Sequence, residues 1–113
     1  MADDCLFCKI VRREIPAKLV YEGEDCVAFR DIDPKAPVHV LVIPREHVAS
    51  LNEVSDPSLV GRLALVAAEI ARQEGIAESG YRTVFNTSRD AGQTVFHLHL
   101  HLLGGRVMTW PPG

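Results

Sequence analysis

The chain has 113 residues, 47% of them hydrophobic and 24% charged, with a formal net charge of −3. That length accommodates a single domain over residues 1–113 with a modest core, and the mild acidity excludes a general binder of nucleic-acid backbones, which needs a basic field. No apolar run approaches the ~18 residues of a membrane span, the Met1-Ala2-Asp3-Asp4 start is acidic where a secretory signal is basic, and three cysteines are too few for a disulfide framework, so a cytoplasmic protein is expected.

Residues 6–13 begin the chain's ordered pattern. Their apolar positions at 6, 7, 10 and 11 form one helical stripe, which Ile15-Pro16 ends. Residues 18–22 and 26–30 are rich in β-formers and flank Gly23-Glu24-Asp25, predicting a hairpin. After breaks at Pro34 and Pro37, residues 38–43 form an apolar strand that carries His39 and stops at Pro44. A long helix is predicted over residues 55–73, capped by Ser55, with Pro57 in its first turn and Gly75 beyond its end. Leu59, Leu63, Val66 and Ile70 give it a core-facing stripe. Residues 81–86 form a further strand, 88–93 a polar loop, and 94–103 a last long strand. The pattern is that of an α+β domain, an antiparallel sheet of about five strands with two helices.

The last strand is the unusual one. Phe96-His97-Leu98-His99-Leu100-His101-Leu102 alternates strictly, so the period of two puts three imidazoles on one face and the leucines on the other, toward the core. Each imidazole brings two polar nitrogens that must be paired or solvated, which is costly for a purely structural strand. Two chemistries fit: a three-histidine metal site, or nucleophilic attack by a neutral imidazole. Gly92-Gln93-Thr94 before the strand supplies backbone N–H groups and a hydroxyl suited to a phosphate, and Asn86 adds an amide. Gly104-Gly105 permits a tight turn close by, and the added carboxylates of a hydrolytic zinc site are not nearby in sequence. The balance favours an anion-binding, nucleophilic site.

The run His97-Leu98-His99-Leu100-His101-Leu102-Leu103 resembles the signature of the histidine triad (HIT) superfamily. Further motifs resemble its nucleotide-binding protein branch: Phe7-x-Lys9-Ile10, Glu14-Ile15-Pro16-Ala17-Lys18, Ala28-Phe29-x-Asp31-Ile32, Ala36-Pro37-x-His39, and the ending Gly104-Gly105-Arg106-x-Met108-x-Trp110-Pro111-Pro112-Gly113. The resemblance covers the chain from about residue 5 to the C-terminus. It implies a HIT-like fold whose sheets join across a homodimer, and hydrolysis of purine nucleoside phosphoramidates through a nucleotidyl-histidine intermediate.

By the same resemblance His99 is the nucleophile, His101 contacts the phosphate, and His39 orients His99 and relays protons. Thr94, where most relatives carry serine, retains the hydroxyl, and Asn86 with the backbone of Gly92, Gln93 and Thr94 completes a phosphate cradle. Asp31 accepts from the ribose hydroxyls, and Leu6, Phe7, Ile10, Ile15, Phe29, Ile32 and Leu41 match the base pocket, although composition alone would place each in a core. The chemistry requires no cofactor. Cys5-x-x-Cys8 is by itself a weak metal motif, but small bacterial-type members complete such a pair with histidines at the positions of His47 and His97, giving a possible structural zinc site. The partners implied are a purine nucleotide substrate and a second copy of the chain, with Trp110 reaching toward the partner's site, and neither nucleic acid nor membrane. A sister branch that hydrolyses dinucleoside polyphosphates shares Gly92-Gln93-Thr94-Val95, and a nucleotide-binding regulator with vestigial hydrolysis is the alternative from another class.

Overall fold

The computed structural model describes residues 4–113, so the acidic start read at Met1-Ala2-Asp3 lies outside the described residues. Helix α1 (Leu6–Val11) is followed by strands β1 (Leu19–Glu22), β2 (Cys26–Arg30) and β3 (Val38–Pro44), helix α2 (Pro57–Gln73), and strands β4 (Tyr81–Phe85) and β5 (Leu100–Gly104). The sheet is antiparallel throughout, in the order β1-β2-β3-β5-β4. The last strand thus slots between β3 and β4, which sets His101 beside the central strand β3. Among the described residues no helix is long and apolar enough to cross a membrane.

Both helices end where local hydrogen bonding dictates. In α1 the Arg13 N–H donates to Ile10 C=O and the Glu14 N–H to Lys9 C=O, with Arg13 left-handed at φ 61°. This double closure ends the helix at Val11, ahead of the expected stop at Ile15-Pro16. α2 closes the same way around Gly75 at φ 77°, with Ile76 N–H on Ala71 C=O. Its N-cap is Asp56 and not Ser55: Pro57 takes the first helical position, so it is the Asp56 carboxylate that accepts the Ser58 N–H at 2.9 Å. Of the expected stripe Leu63, Val66 and Ile70 are buried, joined by Ala67 and Ala71, while Leu59 is only half-buried.

Strand alternation divides the interior in two. On the α2 face Ala28, Val40, Val42, Leu98, Leu100 and Leu102 pack with Leu63, Ala67 and Ile70. On the other face Val27, Phe29, Leu41 and Ile43 pack with Phe7 and Ile10 of α1. Leu41 pairs with His101 and His39 with Leu103, so His39 and His101 share the α1 face as diagonal neighbours.

The expected strand over residues 94–103 is shorter than its sequence pattern. Ladder pairing starts only at Leu100. Continuing the Val42–Leu100 register sets Pro44 opposite Leu98, and proline has no N–H to give the ladder. Leu98 N–H turns instead to Val48 C=O at 2.6 Å. Side alternation survives without the ladder, with His97 buried on the α1 face and Leu98 in the α2 core.

At the far end of β5, a Cβ on Gly104 would run into the Ile76 Cδ1 methyl. Gly104→Ala is therefore expected to cost about 1–3 kcal/mol in urea unfolding. Combining it with Ile76→Val, which removes the obstructing methyl, should recover about 1 kcal/mol beyond additivity in a double-mutant cycle.

Candidate active site

Five histidines and one phenylalanine form a file of rings along the α1 face. His39 and His101 stand 5.2 Å apart, His101 and His99 5.1 Å, His99 and Phe7 5.1 Å, Phe7 and His97 6.0 Å, and His97 and His47 5.1 Å, all between ring centroids. His39, His97 and His99 are buried, and His101 is half-buried.

Backbone groups of fixed polarity set the tautomer of each key ring. His99 Nδ1 lies 2.7 Å from the His97 carbonyl, which can only accept, so His99 carries its proton on Nδ1 and its lone pair on Nε2. At His39 the reverse holds: the Lys35 N–H donates to Nδ1 at 3.0 Å, which puts the proton on Nε2. That proton is donated to His101 Nδ1 at 2.9 Å, so His101 carries its own on Nε2. His97 gives its Nε2–H to the Pro44 carbonyl at 2.8 Å and keeps its Nδ1 lone pair. His39 therefore touches His101 and not, as expected, His99, which is oriented by a peptide carbonyl.

Burial holds the set neutral. Desolvation pushes His97 and His101 down to about 4, and lowers His99 and His39 below the usual 6.5, in His39 against the opposing pull of Asp31. Asp31 Oδ2 lies 3.4 Å from His39 Nε2 and its Oδ1 accepts the Asp33 N–H at 2.8 Å.

Two groups of side chains bring ligand atoms within 4.8 Å of one another. In the first, Cys5 Sγ and Cys8 Sγ lie 3.4 and 3.5 Å from His97 Nδ1, and Cys8 Sγ lies 3.3 Å from His47 Nδ1. Tetrahedral zinc with ordinary Zn–S and Zn–N bonds separates sulfur from nitrogen by about 3.6 Å. The His97 Nδ1 lone pair points the right way, its other nitrogen is fixed by a carbonyl as metal-bound imidazoles require, and Cys5 Sγ accepts the Cys8 N–H at 3.4 Å. These residues fit a zinc ion. The second group, Asp31, His39 and His101, does not: a lone pair at His39 Nε2 would move the proton to Nδ1, against the Lys35 N–H. Its arrangement can pass a proton between His39 and His101.

Beside His39 a cleft of about 600 Å³ is lined by Ala17, Lys18, Arg30, Asp31, Ile32 and Pro34, among others. Of the apolar residues matched to a base pocket, Ile32 lines it with 99% of its surface exposed. Phe7, Ile10, Phe29 and Leu41 form the core on that face with Ile15 packed against them, and Leu6 is exposed. Asn86 directly follows β4, whose last ladder pair is Phe85–Leu100. The loop before the triad departs from expectation: Gly92 N–H donates to Arg89 C=O and Gln93 N–H to Ser88 C=O, so both are engaged within the loop. The Gln93 side chain accepts the Ser88 N–H and donates to the Ala49 and Val95 carbonyls, which makes it the loop's internal brace. Thr94 is exposed beyond it.

Sequence reasoning missed the groups that orient the rings. The carbonyls of His97 and Pro44 and the N–H of Lys35 are peptide atoms, which leave no mark in residue identity. Arg30 was visible in sequence as a cation beside Asp31, and it is anchored by a bidentate pair with Glu74 at 2.9 and 3.1 Å; the place of Lys18 in the cleft is set by the fold. Phe7 offered a signal in its position between the two cysteines.

The HIT domain family model matches residues 12–108. The purine nucleoside phosphoramidase of Escherichia coli is 53% identical over 96% of this chain and 92% of its own length. The crystal structure of a HIT family hydrolase from Legionella pneumophila Philadelphia 1 superposes with a TM-score of 0.95 at 53% identity, covering 97% of this chain and all of that one. A zinc-bound histidine triad family protein from Mycobacterium smegmatis gives 0.85 at 36% identity, over 94% of this chain and 78% of that one. With a histidine triad running into the strand beside β3, and relatives of this closeness along nearly its whole length, the chain belongs to the HIT domain family.

Proposed function

We propose that the chain hydrolyses the P–N bond of purine nucleoside 5′-phosphoramidates, of the adenosine 5′-monophosphoramidate kind, to the nucleoside monophosphate and the amine. The observation that carries this reading is the tautomer of His99, whose Nδ1–H is held by the His97 carbonyl so that Nε2 is a lone pair. The name of the E. coli relative points to the same substrate class.

The reaction follows from these groups. His99 Nε2 attacks the α-phosphorus, the P–N bond breaks with its electron pair on nitrogen, and the leaving amine takes up a proton. The resulting nucleotidyl-imidazole is then hydrolysed by water, which returns His99 to its starting form. His101 presents its Nε2–H as a donor to a phosphate oxygen or the leaving nitrogen. A buried imidazole with a pKa of about 4 is a poor proton carrier at pH 7. An incoming phosphate anion raises that pKa and draws the proton in with the substrate, while Asp31 stabilises positive charge shared through His39. Thr94 and Asn86 supply the remaining side-chain donors to phosphate. Lys18 and Arg30 flank Asp31 and Ile32 in the cleft, where the nucleoside is accommodated.

Cys5, Cys8, His47 and His97 hold one structural zinc ion in this reading; four protein ligands leave no open position for catalysis. The working unit is a homodimer. Edge strand β4 has a free side, and Leu65, Tyr81 and Trp110 expose apolar surface of the kind a second copy covers.

His99→Ala should lower turnover of adenosine 5′-monophosphoramidate by about a thousandfold or more while the chain still folds and binds AMP. Faster turnover of a diadenosine polyphosphate than of the phosphoramidate would instead place the chain with the sister branch, and activity undiminished by the substitution would remove His99 as nucleophile.

The histidine pKa values also make stability depend on pH. Between about 4 and 6.5 the unfolded chain binds a proton at residue 101 that the folded chain excludes, so folding stability rises with pH across that window and is lost as pH falls. Urea unfolding at pH 7.0 and 4.5 should show this loss, and His101→Gln should diminish it by up to about 3 kcal/mol.

A further inference from the structure

We propose that the Cys5–Cys8–His47–His97 cluster is a positioning element for the nucleophile: an ion of the zinc type held there fixes His97 and Phe7, which together hold His99 in its attacking tautomer. This rests on the zinc and phosphoramidase readings above.

His97 belongs to both centres. Its ring Nδ1 faces the two thiols at 3.4 and 3.5 Å, and its own carbonyl accepts the His99 Nδ1–H at 2.7 Å. A shift of the His97 ring pulls on the peptide that sets which nitrogen of His99 is the nucleophile. Phe7 makes a second link. It lies between the two cysteines in sequence, and its ring is steeply inclined to His97 at 6.0 Å and nearly perpendicular to His99 at 5.1 Å. The face of His99 is therefore packed by a residue whose backbone the thiols hold.

α1 has six residues, too few for a helix that stands on its own. Its location depends on Phe7 and Ile10 in the core and on what Cys5 and Cys8 bind. An ion of the zinc type bound by Cys5, Cys8, His47 and His97 would tie α1 to the two imidazoles by bonds that allow little displacement. A purely structural role would protect the fold and leave His99 as it is, whereas a positioning role reaches kcat and the His99 ring.

His47 separates the two. It is exposed on the surface, with its Nδ1 3.3 Å from Cys8 Sγ, and is not among the residues lining the nucleotide cleft. The full chain, His47→Ala and His47→Cys would be compared by metal analysis, by kcat and KM for adenosine 5′-monophosphoramidate, and by ¹⁵N spectra of the histidine rings. The unaltered chain should carry one zinc and show His99 as a single Nδ1–H tautomer. In His47→Ala zinc should be lost and kcat should fall about tenfold, KM should stay within about twofold, and the single-tautomer signature should disappear. His47→Cys, which restores a ligand, should restore all three. If His47→Ala fails to fold, dipicolinate-stripped protein and zinc re-addition give the same comparison. A zinc-free, folded protein with undiminished kcat and an intact His99 signature overturns the proposal. Purified protein that binds no zinc overturns it together with the zinc reading. Absence of phosphoramidate turnover defeats the substrate assignment, and the ring spectra then decide the positioning role on their own.

Discussion

Much of the site follows from one missing hydrogen. Pro44 has no N–H, so the ladder between β3 and β5 stops where the register would set it against Leu98. The segment from Thr94 to His99 continues as an extended but unladdered chain. With no Leu98 N–H on it, the Pro44 carbonyl is open to the His97 ring, which donates to it, and in the same unladdered stretch the His97 carbonyl takes the proton of His99. Had β5 run on in register, the Pro44 carbonyl would have taken the Leu98 N–H. Hydrophobic alternation meanwhile keeps Leu98, Leu100 and Leu102 in the α2 core, so the histidines stay on one side even where the ladder is gone.

The same imidazole chemistry yields two different centres because backbone partners differ. Where a carbonyl takes the proton, as at His97 and His99, the other nitrogen is left with an open lone pair. Where an amide donates, as Lys35 does to His39, the ring becomes a donor and passes its polarity on to His101. Burial then keeps all four rings uncharged near neutrality. Sequence order along the strand distributes the roles, but single peptide groups decide the direction of every hydrogen bond.

Periodicity made the sheet, the long helix and the face of the histidines legible in the residues alone, since two faces of a strand differ in hydrophobicity. Termination was less legible. Ser55 and Asp56 are both good caps, and only the position of Pro57 selects the carboxylate. Arg13 gives no warning that it turns left-handed to end α1. In the site, Cys5, Cys8, His47 and His97 come together as the resemblance implied; spacing alone linked only the two cysteines. Gln93 and the N–H groups of Gly92 and Gln93 brace their own loop, a use of polar atoms that composition cannot distinguish from phosphate binding.

The left-handed Arg13 has a consequence for how the molecule opens. A non-glycine residue in that conformation costs on the order of 1 kcal/mol, whereas α2 closes its end on Gly75 with little strain. A six-residue helix adds little cooperative stability of its own. Amide protons of α1 are therefore the part of this face with least protection against exchange, and the opening that exposes them also lifts Phe7 from His99 and separates the two thiols from their imidazoles. Local fraying at α1 thus reaches the His99 ring before the sheet has lost a strand.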